Sequence, residues 1–130
     1  MADAKTPAER PLSPHLQIYK LTLTMAMSII HRITGGALYF GTILLALYLV
    51  AVASGKDAYG IAAAVYGSWF GKLVLFGYTW ALFHHMLGGI RHFIWDAGAG
   101  LTHPARETIV KATLIGSVAL TILAWLIAAK

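Results

Sequence analysis

The sequence predicts an all-α membrane protein with three transmembrane helices, and three observations point there. Of its 130 residues 58% are hydrophobic and only 12% are charged, where an average soluble domain has about 45–50% and about 25%. The mean hydropathy is +0.70. Three separate apolar stretches each approach the roughly 20 residues a helix needs to cross a hydrocarbon core about 30 Å thick. Such a composition excludes an ordinary soluble enzyme. The chain contains no cysteine, which excludes disulfides, Cys-ligated iron–sulfur clusters, thiolate catalysis and covalently attached c-type haem. Any metal must be held by histidine or carboxylate.

The elements follow in order. Residues 1–27 (MADAKTPAERPLSPHLQIYK and on) mix charges with prolines and lack an apolar core, so they match neither a secretory signal nor an Arg-rich, acid-poor transit peptide. A chain that opens this way at Met1 is expected in a bacterial cytoplasmic (inner) membrane rather than a mitochondrial one. Span one covers residues 28–53, its continuous apolar run starting at Ile33. A connection follows, SGKDAYG and then the aromatic-edged stretch from Tyr66 to Phe70, which suits the interface belt. Span two, residues 73–96, contains His84, His85, Arg91 and His92. The Gly/Pro linker AGAGLTHPARET leads to span three, residues 109–129, where Lys111 sits close enough to an end to snorkel. No internal repeat or low-complexity tract interrupts this order.

Charge sets the orientation. The N-terminal segment and the second linker share one side and carry Lys5, Arg10, Lys20, Arg32, Arg91, Arg106 and Lys111, while Lys56, Lys72 and Lys130 lie on the other. The bias places the N-terminus in the cytoplasm, or in the matrix of a mitochondrion. In a chain this apolar, the net +5 charge therefore reads as membrane orientation and not as nucleic-acid binding. Ser28, His31 and Arg32 at the start of span one then share a membrane face with Arg91, His92 and Asp96 at the end of span two.

Ionisable groups inside a lipid-embedded helix are costly unless they face a partner, a cofactor or water, so this cluster is the candidate site. At 3.6 residues per turn His85, Gly88, Gly89 and His92 line one stripe of span two. The two glycines remove bulk one turn from a histidine, which lets a flat macrocycle or a neighbouring helix approach the backbone. His85 lies near mid-membrane and His92 about 10.5 Å further along the axis, so the two cannot ligate one iron. The stripe admits two readings: His85 as an axial ligand of a b-type haem, or a buried histidine that hydrogen-bonds across helices beside packing glycines. A six-coordinate haem needs a second mid-membrane ligand. His15 and His103 fall in flanking segments, His31 and His92 near the cytoplasmic face, and His84 points about 100° away from His85. The chain alone looks like half of a haem site.

Ser28, His31 and Arg32, at i, i+3 and i+4, form a second set. A hydroxyl, an imidazole and a guanidinium there can hydrogen-bond a quinone carbonyl or pair with haem propionates. Their plainer roles are Ser28 as a helix N-cap and Arg32 as an interfacial anchor.

Three strings carry a resemblance: Arg10-Pro-Leu-Ser-Pro-His-Leu-Gln-Ile-Tyr19, Ser28-Ile-Ile-His-Arg-Ile-Thr-Gly35, and His85-x-x-x-Gly89-Ile-Arg-His-Phe-Ile-Trp-Asp96. Together they resemble the cytochrome b membrane-anchor subunit of succinate dehydrogenase (respiratory complex II), the larger of its two anchors, and the match runs through all three spans from about residue 10. The resemblance implies half of a heterodimeric haem-binding bundle, in a complex with a flavoprotein subunit, an iron–sulfur subunit and a smaller anchor. Electrons would pass from succinate to ubiquinone. By position, His85 corresponds to the iron ligand of haem b, with the second axial histidine on the smaller anchor. Ser28 and Arg32 correspond to quinone-site residues, and His31 and Arg32 lie where haem propionates are met. Of the doublet His84-His85, the spacing to Gly89 and Arg91-His92 selects His85. The N-terminal segment is expected to dock the soluble subunits. A haem-free structural anchor is the alternative; a self-contained transmembrane haem or proton-conducting protein would need matched mid-membrane histidines on several helices.

Overall fold

The computed structural model describes residues 19–130; of the N-terminal docking segment expected over residues 1–27, the part with RPLSPH and His15 lies outside the described residues. The architecture is all-helical: α1 spans Leu23–Ala53, α2 Lys56–Gly67, α3 Trp69–Asp96 and α4 His103–Ala128. Of these α1, α3 and α4 are long and apolar enough to cross a membrane. The chain is a multi-pass membrane protein, as its composition requires.

Each long helix extends beyond its apolar run, because polar residues in the headgroup region continue the helix until a cap ends it. Thr22 caps α1, its side chain accepting from the Met25 amide at 3.4 Å. Ser28, whose plainer role was that cap, lies instead inside the second turn. Ser68 closes α2 and opens α3, accepting from the Gly71 amide at 3.0 Å. Thr102 and Pro104 begin α4, where a proline in the first turn lacks only an N–H that has no helical acceptor anyway. Between α1 and α2 the chain reverses at Gly55, whose φ of 107° is a conformation that side chains rarely adopt.

The second helix is a departure from the sequence expectation, which treated residues 54–70 as a connection. Twelve residues reach only about 18 Å, too short to span. Their alanine run, Ala62 to Ala64, nevertheless favours helix. Tyr66 ties α2 to α1, its hydroxyl donating to the Leu44 carbonyl at 2.6 Å, and the rings of Tyr59 and Tyr66 both pack edgewise on Tyr48.

Helix α3 is central and packs against both α1 and α4. Lipid is as apolar as leucine, so helices here gain little by hiding leucines from it. Accordingly Leu44, Leu47, Phe40 and Ile115 face outward, while the interior holds Thr34, His84, Arg91, Thr113, Ser117 and Thr121 beside Met27, Ala81 and Val110. On α4, Thr113, Ser117 and Thr121 recur every four residues and form a polar seam. Their hydroxyls donate to the carbonyls of Ile109, Leu114 and Ser117 at 2.9, 2.8 and 2.7 Å. Further along, the Trp125 indole donates to Thr79 Oγ1 at 3.3 Å. Where α1 meets α3, Gly41 receives the Tyr78 ring so closely that a Cβ there would overlap it.

Candidate functional site

The antiparallel course of α1 and α3 brings the first half of one against the second half of the other. There the imidazoles of His31 and His85 stack, ring centroids 4.1 Å apart and planes 3° from parallel. His92 sits on the other side of His31, at 5.3 Å. Reciprocal glycines allow this approach. A Cβ on Gly35 of α1 would lie 2.8 Å from Cε1 of His85, and one on Gly88 of α3 would overlap Nδ1 of His31. Gly88, expected on the open stripe, is therefore buried and makes room for a neighbouring helix's side chain. Gly89, one turn after His85, has nothing within 4 Å of where a Cβ would stand, so the surface beside His85 is bare there.

Hydrogen bonding fixes the His85 tautomer. Its Nδ1 lies 3.1 Å from the His31 carbonyl oxygen and 3.5 Å from Thr34 Oγ1. The Thr34 hydroxyl donates to that same carbonyl at 2.9 Å, so its hydrogen is already engaged. The carbonyl can only accept, which puts the hydrogen of the neutral ring on Nδ1 and leaves a lone pair on Nε2.

His84, by contrast, is completely buried. Its Nδ1 lies 3.3 Å from Ser117 Oγ on α4, and its ring centroid 5.1 Å from that of Trp80. Adjacent residues on a helix point about 100° apart, and here that angle separates an imidazole enclosed between α3 and α4 from one at the α1–α3 crevice. Among the described residues no group of three or more His, Cys, Asp or Glu is disposed to hold a metal ion.

The second set is divided. Ser28 is half-buried and lines a cleft of about 380 Å³ with Thr24, Met25, Trp95, Leu101 and Arg106. Arg32, one turn on, is exposed and is not among the residues lining that cleft. The guanidinium that shares the cleft with Ser28 is Arg106, which sequence reasoning used only to orient the chain. Its place on the first turn of α4, after a loop bent at Gly98 and Gly100, left no signal in residue spacing. Arg91 belongs to the ionisable cluster expected at this membrane face, but no individual role follows for it from the sequence. It is 2% exposed, with Nε and Nη1 lacking acceptors among the described residues and its guanidinium carbon 5.2 Å from the centre of the Trp95 ring. His103, placed in a flanking segment, starts α4 and lies 3.7 Å from Glu107.

A three-span helical subunit with paired intramembrane imidazoles is the class that fold and site define, and comparison with known proteins narrows it. The family model for the succinate dehydrogenase/fumarate reductase transmembrane subunit matches residues 6–124. The chain is similar to the succinate dehydrogenase cytochrome b556 subunit of Paracoccus denitrificans, 44% identical over 123 residues that cover 95% of this chain and 94% of that one. It is similar also to that of Rickettsia felis, 36% identical over 117 residues covering 90% and 91%. The mitochondrial cytochrome b560 subunit of Sus scrofa is 40% identical over 99 residues, 75% of this chain and 59% of the relative. The chain belongs to the succinate dehydrogenase/fumarate reductase transmembrane subunit family, among the cytochrome b anchor subunits of succinate dehydrogenase. It is thus a membrane component of an enzyme complex, set in the bilayer beside the other subunits of that complex.

Proposed function

We propose that this chain binds haem b through Nε2 of His85, with the second axial histidine supplied by a smaller anchor subunit, and that it contributes to a ubiquinone-reduction site at the cytoplasmic face. One observation carries the reading: the His31 carbonyl holds the Nδ1 hydrogen of His85, which frees Nε2 for a metal, while His84 is enclosed. A ligating histidine almost always donates its other ring N–H to a carbonyl or carboxylate, which fixes the ring and raises its basicity. The residues present fit the group in a second way, since the absence of a side chain at Gly89 leaves a bare surface beside His85. When bound, haem b supplies a one-electron store within the membrane.

The remaining roles belong to residues of this chain. Arg32, exposed at the same membrane face as His31, supplies a permanent positive charge for propionates and for negative charge developing on quinone oxygens. Ser28 offers a hydroxyl to a quinone carbonyl in the cleft that Trp95 and Arg106 help to line. Succinate oxidation lies on the flavoprotein and iron–sulfur subunits, which the N-terminal segment is proposed to dock. The basic bias supports a cytoplasmic N-terminus, in a bacterial inner membrane.

The test is a reduced-minus-oxidised spectrum of the purified complex. His85→Ala is expected to remove or displace the b-type α-band, and His84→Ala to keep it. The opposite pair of spectra overturns the ligand assignment, and a wild-type complex without an α-band makes the chain a haem-free anchor.

A further inference from the structure

We propose that His84 and Ser117 form a positioning pair, a single hydrogen bond between α3 and α4 that sets the rotation of α3 about its axis and thereby the direction in which His85 presents its ring. The proposal rests on the reading of His85 as the haem ligand.

Both partners are wholly buried, at 0% exposure, and their Nδ1–Oγ separation is 3.3 Å. The donor can be assigned. Ser117 gives its own hydrogen to the Leu114 carbonyl at 2.8 Å, so its oxygen can only accept, and His84 is held as the neutral Nδ1–H form. Its Nε2 has no partner among the described residues and no exposure, so His84 is closed to a cofactor and open to one role, that of a tether.

The seam between α3 and α4 is close beside this bond, where a Cβ on Gly116 of α4 would lie only 3.1 Å from Leu87. Further along, the Phe76 and Trp125 rings meet edgewise. Small residues let helices approach closely, and in lipid no hydrophobic force opposes their sliding or turning. Directional polar contacts can. The described residues provide two between α3 and α4: Trp125 to Thr79 in the first half of α3, and His84 to Ser117 near its middle. Two contacts on one helix fix its axial register and its rotation together.

The consequence for His85 is geometric. Its ring lies roughly 6 Å off the α3 axis, so turning the helix by about 10° moves the ring about 1 Å. Functional constellations tolerate about 0.5 Å. Because His84 and His85 share one backbone, the tether on the first aims the second.

The experiment uses the purified complex carrying Ser117→Ala, His84→Phe or both, with His85→Ala alongside. The readout is the g-max of the ferric haem in electron paramagnetic resonance, which follows the relative orientation of the two axial imidazole planes. Either single substitution is expected to shift g-max beyond the wild-type line width at unchanged haem content per flavin. The double variant should match the singles and not their sum, since each breaks the same bond. Unchanged g-max in both single variants, with His85→Ala losing the haem spectrum, overturns the positioning pair alone. An intact spectrum in His85→Ala overturns the ligand reading and the proposal with it. Failure of all three His84 and Ser117 variants to accumulate in membranes makes the pair a requirement of folding and rejects the aiming role.

Discussion

At the scale of single residues, one backbone carbonyl organises the α1–α3 crevice. The oxygen of His31 accepts from the Thr34 hydroxyl and from Nδ1 of His85, while the ring of the same residue stacks on His85. Ser28 and Arg32 flank this arrangement on α1, one half-buried beside Arg106 and the other exposed, and their different settings predict different sensitivities. Loss of a hydrogen bond to a charged donor costs about 1.5–3 kcal/mol, and loss of a neutral one about 1 kcal/mol. Arg32→Leu is therefore expected to lower ubiquinone reduction roughly ten- to a hundred-fold, and Ser28→Ala about fivefold. Succinate oxidation by a soluble dye, which takes electrons before the membrane, should continue at the wild-type rate in both. Equal loss of the two activities would mean broken assembly, and unchanged quinone reduction would return Arg32 to interfacial anchoring.

At the scale of elements, the three spans were legible and the short helix was not. Residues 54–70 hold too few apolar positions to register as a span, and Gly55, Gly60 and Gly67 suggest a loop, yet α2 forms because Tyr48, Tyr59 and Tyr66 give it a surface on which to pack. That dependence is testable. Tyr66→Phe removes the bond to the Leu44 carbonyl, worth about 1 kcal/mol, so amides of residues 56–67 should exchange with solvent about fivefold faster while the haem spectrum stays as in wild type. Exchange at the wild-type rate would show that ring packing alone holds α2. The polar seam on α4 was open to view in the sequence as Thr113, Ser117 and Thr121 at intervals of four, although its partner on α3 was not.

At the scale of the whole molecule, most large apolar side chains face outward, and the basic residues of the sequence divide unevenly between the segments that flank the spans. In the proposed orientation the segment carrying RPLSPH is on the cytoplasmic side, where soluble subunits would meet the anchor. Deletion of residues 10–19 is expected to move succinate-oxidising activity from the membrane to the soluble fraction. A truncated complex that sediments fully with membranes and reduces quinone at the wild-type rate would rule out docking by this segment.

Number of spans, charge bias and the presence of an intramembrane histidine cluster were determined by the sequence alone, since hydropathy, basic-residue counts and helical period are local or additive properties. The period also required His84 and His85 to point apart. It could not say which of them faces inward, because both are histidines and hydropathy does not distinguish a lipid-facing surface from a packed one. Tertiary structure decided that question through contacts between distant segments: Ser117 of α4 encloses His84, the His31 carbonyl of α1 engages His85, and Gly88 yields its place on the stripe to the His31 ring. The same holds for Arg106, brought to Ser28 by a loop whose course depends on Gly98 and Gly100 at φ of 76° and 68°. Residue spacing along one helix carries no information about which side chain a second helix will set against it.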